Sequence, residues 1–313
     1  MLGPIGHLAA LAAYGVRRGS QTRHDLDAHR ELAWQRSARA ADLPAGLELE
    51  WLGTAGFRLT YQGQHLLIDP YVTRLPVRDL LLRRVVGTDV ARLAALPDPL
   101  AILVGHTHFD HALDVPALAR RADCPVYGSA SLAHLMKLHG EPERAVVAEP
   151  NRTYDIGPFA VTFVPSKHSK LAGGMWIPYS GEITCDHVDH LIPQAYKCGQ
   201  VWGLHIAVGD VTLYHQGSCE LEDDALRYRG VDYLLCGISG RRFTERYVER
   251  ILRAIEPRVV VPHHFDDFFL PLDAPMAMSL NVNLAGFVEE VEAVSRDFEI
   301  RTLAVREAAG AAA

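Results

Sequence analysis

Residues 100–111 read LAILVGHTHFDH, and the whole fold assignment hangs on them. The first half is a short apolar run of the kind that forms a buried strand. It passes directly into His106-Thr107-His108-Phe109-Asp110-His111, which places four potential metal ligands within six residues. Imidazole nitrogen and carboxylate oxygen suit borderline cations such as zinc. A loop at a strand end can splay alternate side chains, so that His106 and His108 face one ion and Asp110 and His111 a second. Packed so tightly beside an apolar strand, these groups are costly to bury unless something holds them.

Working outward, LELEWLG, GFRLTYQG and QHLLIDP (47–70) form three β-rich runs separated by glycine turns, a meander that opens a sheet. Residues 76–96 read as a helix ended by Pro97 and Pro99. A helix is expected from Asp114 as N-cap, then a strand at CPVYGS and a helix over 131–139. FAVTFVP (159–165) is a strand, 201–217 a hairpin turning at Gly209–Asp210, and VDYLLCG, TERYVERILRAIE and RVVVPHH a strand–helix–strand unit. A late helix is expected over 281–295. The organisation is therefore a helical extension (1–45), one α/β domain (46–306) with a lid insertion at 169–200, and a disordered tail (307–313).

Composition narrows the class. The 313 residues are 49% apolar and 22% charged with a net charge of −7, as in a soluble globular protein. No long basic run advertises nucleic-acid binding. The five cysteines are odd in number and form no CxxC pair, which favours a reducing cytoplasm, although a Cys185–Cys198 bridge stays open. Met1–Val16 is apolar but too short to span a membrane, for which about 20 residues are needed. It reads as a docking helix or frayed end, with peripheral membrane contact as the alternative. Oligomeric state is not legible.

HxHxDH resembles the signature of the metallo-β-lactamase superfamily. WLGTAGFRL followed by LLIDPY resembles the branch containing ascorbate-phosphate lactonases and N-acyl-phosphatidylethanolamine phospholipase D. The resemblance spans about residues 47–270 and implies an αββα sandwich with its site at one edge between two sheets. By resemblance His168, in VPSKHSK, completes a site with His106 and His108. The family's P-x-H pattern selects His264 over His263 to join Asp110 and His111. Asp69 resembles an aspartate that orients metal-bound histidines, and reads equally well as a turn residue before Pro70. One or two divalent transition metals are implied, with zinc, manganese and iron as candidates.

One departure stands out. Where the family carries a bridging Asp after glycine, this chain has Gly217-Ser218. The centre then holds one metal, or two bridged only by water, or Cys219 or Glu220 substitutes. Lys167 and Lys170 flank His168 and suit an anionic group, or are simply solvated. In the lid, Trp176, Tyr179, Trp202 and Gly173–Gly174 suggest an apolar mobile wall, and CDHVDH (185–190) a polar rim. The implied reaction is hydrolysis of an ester, lactone or phosphodiester in a small or lipid-like molecule. The metal would lower the pKa of water from about 16 to roughly 7, and Asp110 would assist as proton acceptor. A non-catalytic metal-binding or sensor protein is the alternative.

Overall fold

The computed structural model describes residues 4–34, 43–170, 175–280, 282–305 and 308–309. A long helix, α1 (Pro4–Glu31), precedes a meander of β1 (Leu47–Gly53), β2 (Gly56–Tyr61) and β3 (Gln64–Ile68). Two short helices, α2 (Val77–Leu81) and α3 (Val90–Leu93), lead to β4 (Ala101–Leu103). Then come α4 (Phe109–Ala112), α5 (Val115–Ala122), β5 (Val126–Gly128), α6 (Ala130–Leu138) and β6 (Ala145–Val147). The second half runs β7 (Thr153–Ile156), β8 (Phe159–Ser166), β9 (Val201–Val208), β10 (Val211–Gln216), β11 (Tyr233–Gly237), α7 (Tyr247–Ile255) and β12 (Val259–His263). It ends with α8 (Leu284–Val294), β13 (Glu299–Ile300) and β14 (Ala308–Ala309).

The described strands form two seven-stranded sheets, ordered β14-β1-β2-β3-β4-β5-β6 and β13-β12-β11-β10-β9-β8-β7. Each joins an antiparallel meander to parallel strands reached by helical crossovers. The period of two then sorts side chains to opposite faces. Leu66 and Ile68 of β3 enter the core between the sheets, whereas Leu67 joins an outer cluster with Leu118 and Leu135 of α5 and α6. On the other flank α7 buries Tyr247, Val248, Ile251, Leu252 and Ile255, a helical stripe. The result is the αββα sandwich.

Three expectations need correction. Residues 76–96 are not one helix: only 77–81 and 90–93 are helical, because Val86 N donates to Leu191 O (3.0 Å) and Gly87 interrupts the pattern. Asp114 stands at the start of α5 without capping it. Its carboxylate instead accepts from Val72 N (2.7 Å) and Thr73 N (2.8 Å), tying the segment after β3 to the ligand-bearing wall. Within the tail expected to be disordered, 308–309 pair with β1. The extension docks through Asp25, which accepts from Ala285 N at the start of α8 (3.0 Å). The side chains of 1–17, on which N-terminal membrane contact rests, and Gly173–Gly174 lie outside the described residues. No helix among the described residues is long and apolar enough to cross a membrane.

Candidate metal centre

Two groups of ligand atoms meet where the sheets' strand ends face each other. In each group the atoms lie within 4.8 Å of one another: His106, His108 and His168 in the first, Asp110, His111 and His264 in the second. The first two histidines leave β4 on its connecting loop, Asp110 and His111 sit in α4, His168 follows β8 and His264 follows β12. Both sheets are therefore needed to assemble either group.

Outer hydrogen bonds fix which nitrogen faces inward. His108 Nε2 bonds Pro178 O (2.9 Å), leaving Nδ1 beside His106 Nε2 at 3.1 Å. His168 Nδ1 bonds Ser169 O (2.7 Å). His111 Nδ1 bonds Asp69 Oδ2 (2.8 Å), while Asp69 Oδ1 accepts from Gly105 N (2.6 Å). Such partners orient metal-binding imidazoles and fix their tautomer. Asp69 adopts a left-handed φ of 42°, a conformation that its short polar side chain tolerates. A Cβ on Gly105 would come within 3.0 Å of its carboxylate and one on Gly217 within 3.1 Å, so close backbone approach is part of the site.

The electrostatics suit a cation. Burial, with the neighbouring histidines, holds His106 well below its ordinary pKa. Burial brings His168 down to about 3 and His108 to about 4, the latter against the pull of Asp110. Neutral imidazole is the ligating form. Burial opposes ionisation of Asp110, but His111 and His264 outweigh it and hold the carboxyl below its usual range. For His111, burial is overcome by the Asp69 and Asp110 carboxylates, which raise it. His106 Nδ1 and His264 Nδ1 are buried without a hydrogen-bond partner. Two converging sets of nitrogen and carboxylate donors, with this charge balance, fit divalent transition ions.

His263 points the other way. It is fully buried and stacks on His215 with ring centroids 5.0 Å apart, edge-on to Phe57. His264 has a φ of 61°, and its N–H donates to Thr54 O (2.8 Å), joining the end of β12 to the β1–β2 turn. Beside it, a buried ion pair of Arg74 and Asp266 (2.8 Å) sits against Gly53, where a Cβ would fall 1.7 Å from the guanidinium.

Other expected residues lie elsewhere. Ser218 lines the cleft, its hydroxyl accepting from Ser169 N (3.2 Å). Cys219 is not a bridge: it is buried in the core and its thiol donates to Gly237 O (3.0 Å). Nor is Glu220, whose carboxylate pairs with Arg250 (3.2 Å). Lys167 pairs with Glu222 (2.6 Å), and neither it nor the exposed Lys170 lines the cleft. Trp176 and Tyr179 do line it, but Trp202 is a core residue packed on Phe163. His187 and His190 of CDHVDH are exposed and paired with Asp189 and Asp186, away from the cleft. All five cysteines are free. Sequence reasoning missed Leu80, Ser239, Phe268 and Phe269, which complete a cleft of about 370 Å³. The only available signal was the aromatic pair directly after HHFDD.

An αββα sandwich with six such ligands at its strand ends has the architecture of metal-dependent hydrolases. The family model described as beta-lactamase superfamily domain matches residues 48–264, and the chain belongs to that family. It is 28% identical over 237 residues to a UPF0173 metal-dependent hydrolase of Methylobacterium nodulans, covering 74% of this chain and 89% of the relative. Among solved structures it resembles Igni18, a metallo hydrolase from Ignicoccus hospitalis (TM-score 0.55, 18% identity, covering 84% of this chain and 97% of that one). It also resembles CmlA, a diiron β-hydroxylase from Streptomyces venezuelae (TM-score 0.56, 14% identity, covering 85% of this chain and 54% of that one). At these identities the structural likeness is one of fold.

Proposed function

We propose that this protein hydrolyses an ester or lactone bond in a small molecule with an apolar body, using zinc, with manganese or iron as alternatives. One observation carries the reading. The six ligands line a cleft whose other walls include Leu80, Phe109, Trp176, Tyr179, Phe268 and Phe269 beside the small hydroxyls of Ser169, Ser218 and Ser239, and among the described residues no lysine or arginine lines it. An uncharged acyl group suits such walls better than a phosphodiester, which the expected lysines would have served. The resemblance to the lactonase and phospholipase D branch supplied both options, and the lining favours the first.

The metal would supply Lewis acidity and, at neutral pH, a nucleophile from water. The chain supplies the rest. Asp110, held ionised with Oδ2 3.4 Å from His264 Nε2 and 3.9 Å from His111 Nε2, takes the proton released as water adds to the carbonyl carbon. It returns that proton to the alkoxide as the acyl C–O bond breaks. Ser218 and Ser239 offer hydroxyl donors at the cleft wall, and the aromatic walls exclude bulk water.

The test is a panel of para-nitrophenyl alkanoates, acyl lactones and bis-para-nitrophenyl phosphate, with metal content measured on the same sample. Ester or lactone turnover should exceed phosphodiester turnover at least about tenfold, vanish with chelator and return with zinc. A preference for phosphodiester would overturn the substrate class. Bound metal without turnover of any member would favour the sensor reading, which Ser218 at the bridging position motivates.

A further inference from the structure

Large apolar side chains are exposed on the segment that carries Leu80 of the cleft wall, and at Trp176 of the same cleft. Leu81, Leu82 and Val85 are 74%, 60% and 53% exposed, and Trp176 is 56% exposed. The helix α2 buries none of its five residues. Leu80, Trp176, Phe268 and Phe269 all line the same cleft, so three separate segments bring apolar groups to one rim. A single exposed leucine needs no explanation. A collar of them marks an interaction surface.

Charge identifies the occupant. Residues 77–86, VRDLLLRRVV, carry Arg78, Arg83 and Arg84 against Asp79 alone, an excess of positive charge within this segment of a chain of net −7, while Asp186 and Asp189 of the loop packed against it are engaged by His190 and His187. Asp79 is shared by Arg84 (3.3 Å) and Arg78 (3.9 Å), and Arg83 has no ion pair among the described residues. We propose that this rim docks on an anionic lipid surface. Leu81, Leu82 and Trp176 enter the interface, and the arginines reach the headgroup phosphates. Tryptophan and arginine suit that boundary because each joins an apolar body to a polar tip. A second copy is the poorer occupant, since a two-fold contact would set each arginine cluster near its own image. Docking extends the proposed reading, because a substrate with an apolar body would pass from the bilayer into the cleft. It is measured without turnover, so the two fail separately.

The experiment is co-sedimentation of the full chain with vesicles of phosphatidylcholine alone and of phosphatidylcholine with phosphatidylglycerol, at low and high salt. The wild type should pellet with the anionic vesicles and be released by salt. In L81S/L82S binding should fall at least about tenfold. In R83Q/R84Q it should fall about fivefold per arginine, erasing the preference for the anionic vesicle. These side chains are exposed and do not line the cleft, so both variants should keep the wild-type Tm and metal content. A wild type that stays in the supernatant with both vesicles, or variants that pellet unchanged, overturns the proposal. Light scattering on the same samples covers the alternative: a dimer broken by L81S/L82S, without vesicle binding, would assign the rim to self-association.

Discussion

The two ligand groups are built to different standards. The second is braced by scaffold: His111 leans on Asp69, and Asp69 is fixed by the Gly105 amide at the end of β4. The first has no carboxylate behind it. His108 and His168 are oriented by carbonyls of Pro178 and Ser169 in the long connection between β8 and β9, while each group has one histidine, His106 and His264, whose Nδ1 has no partner. A carboxylate raises the basicity of an imidazole ligand more than a carbonyl does, and a sheet end moves less than a long loop. The difference teaches that two sites built from one six-residue motif need not bind alike.

The largest effect expected is at Asp110, the residue belonging to both ligation and proton transfer. Asp110→Ala should lower turnover by at least about a hundredfold and empty the second group, as metal analysis of the purified variant would show. Undiminished turnover would detach catalysis from that group.

The comparison itself is sharpened by a pair of variants. Asp69→Asn should weaken metal binding at the second group by roughly 10- to 100-fold and spare the first. Replacing 175–181 by a short glycine-serine linker should do the reverse, because Pro178 O is lost from His108. Competitive titration against a chromogenic chelator reads both. If both variants weaken the same site, the two groups are one coupled centre.

The smallest effect is expected at Ser218. Supplying a carboxylate there with Ser218→Asp should tighten the weaker site by about tenfold, since two dications sharing one anion repel less. Calorimetric titration of both proteins decides it. Equal, tight binding of two ions by the wild type, with no gain in the variant, would place the bridge elsewhere.

What was legible in the sequence follows from range. His106, His108, Asp110 and His111 are neighbours in the chain, so their chemistry shows locally. His168 and His264 lie far along the chain and were found only through the resemblance to the family, whose pattern asks for a histidine after each of those strands. The alternatives left open at Cys219, Glu220 and Lys167 could not be decided in sequence because their partners, Gly237 O, Arg250 and Glu222, are set by packing that spacing does not encode. The helix expected at 76–96 failed likewise: Leu191, over a hundred residues on, captures the backbone at Val86. Phe268 and Phe269 carry no periodic pattern, and only the fold brings them to the cleft that Trp176 also lines.

The bond from His264 N to Thr54 O also sets a schedule. A chain emerges from the ribosome N-terminus first, at roughly 5–20 residues per second. All three ligands of the first group exist once residue 168 has been made. The second waits for residue 264, on the order of ten seconds longer at that rate. Asp110 and His111 spend that interval without their third companion. Because His264 is tied to the β1–β2 turn, completing the second group requires the last ligand-bearing strand to meet the first hairpin. Its assembly is thus a late step in biosynthesis.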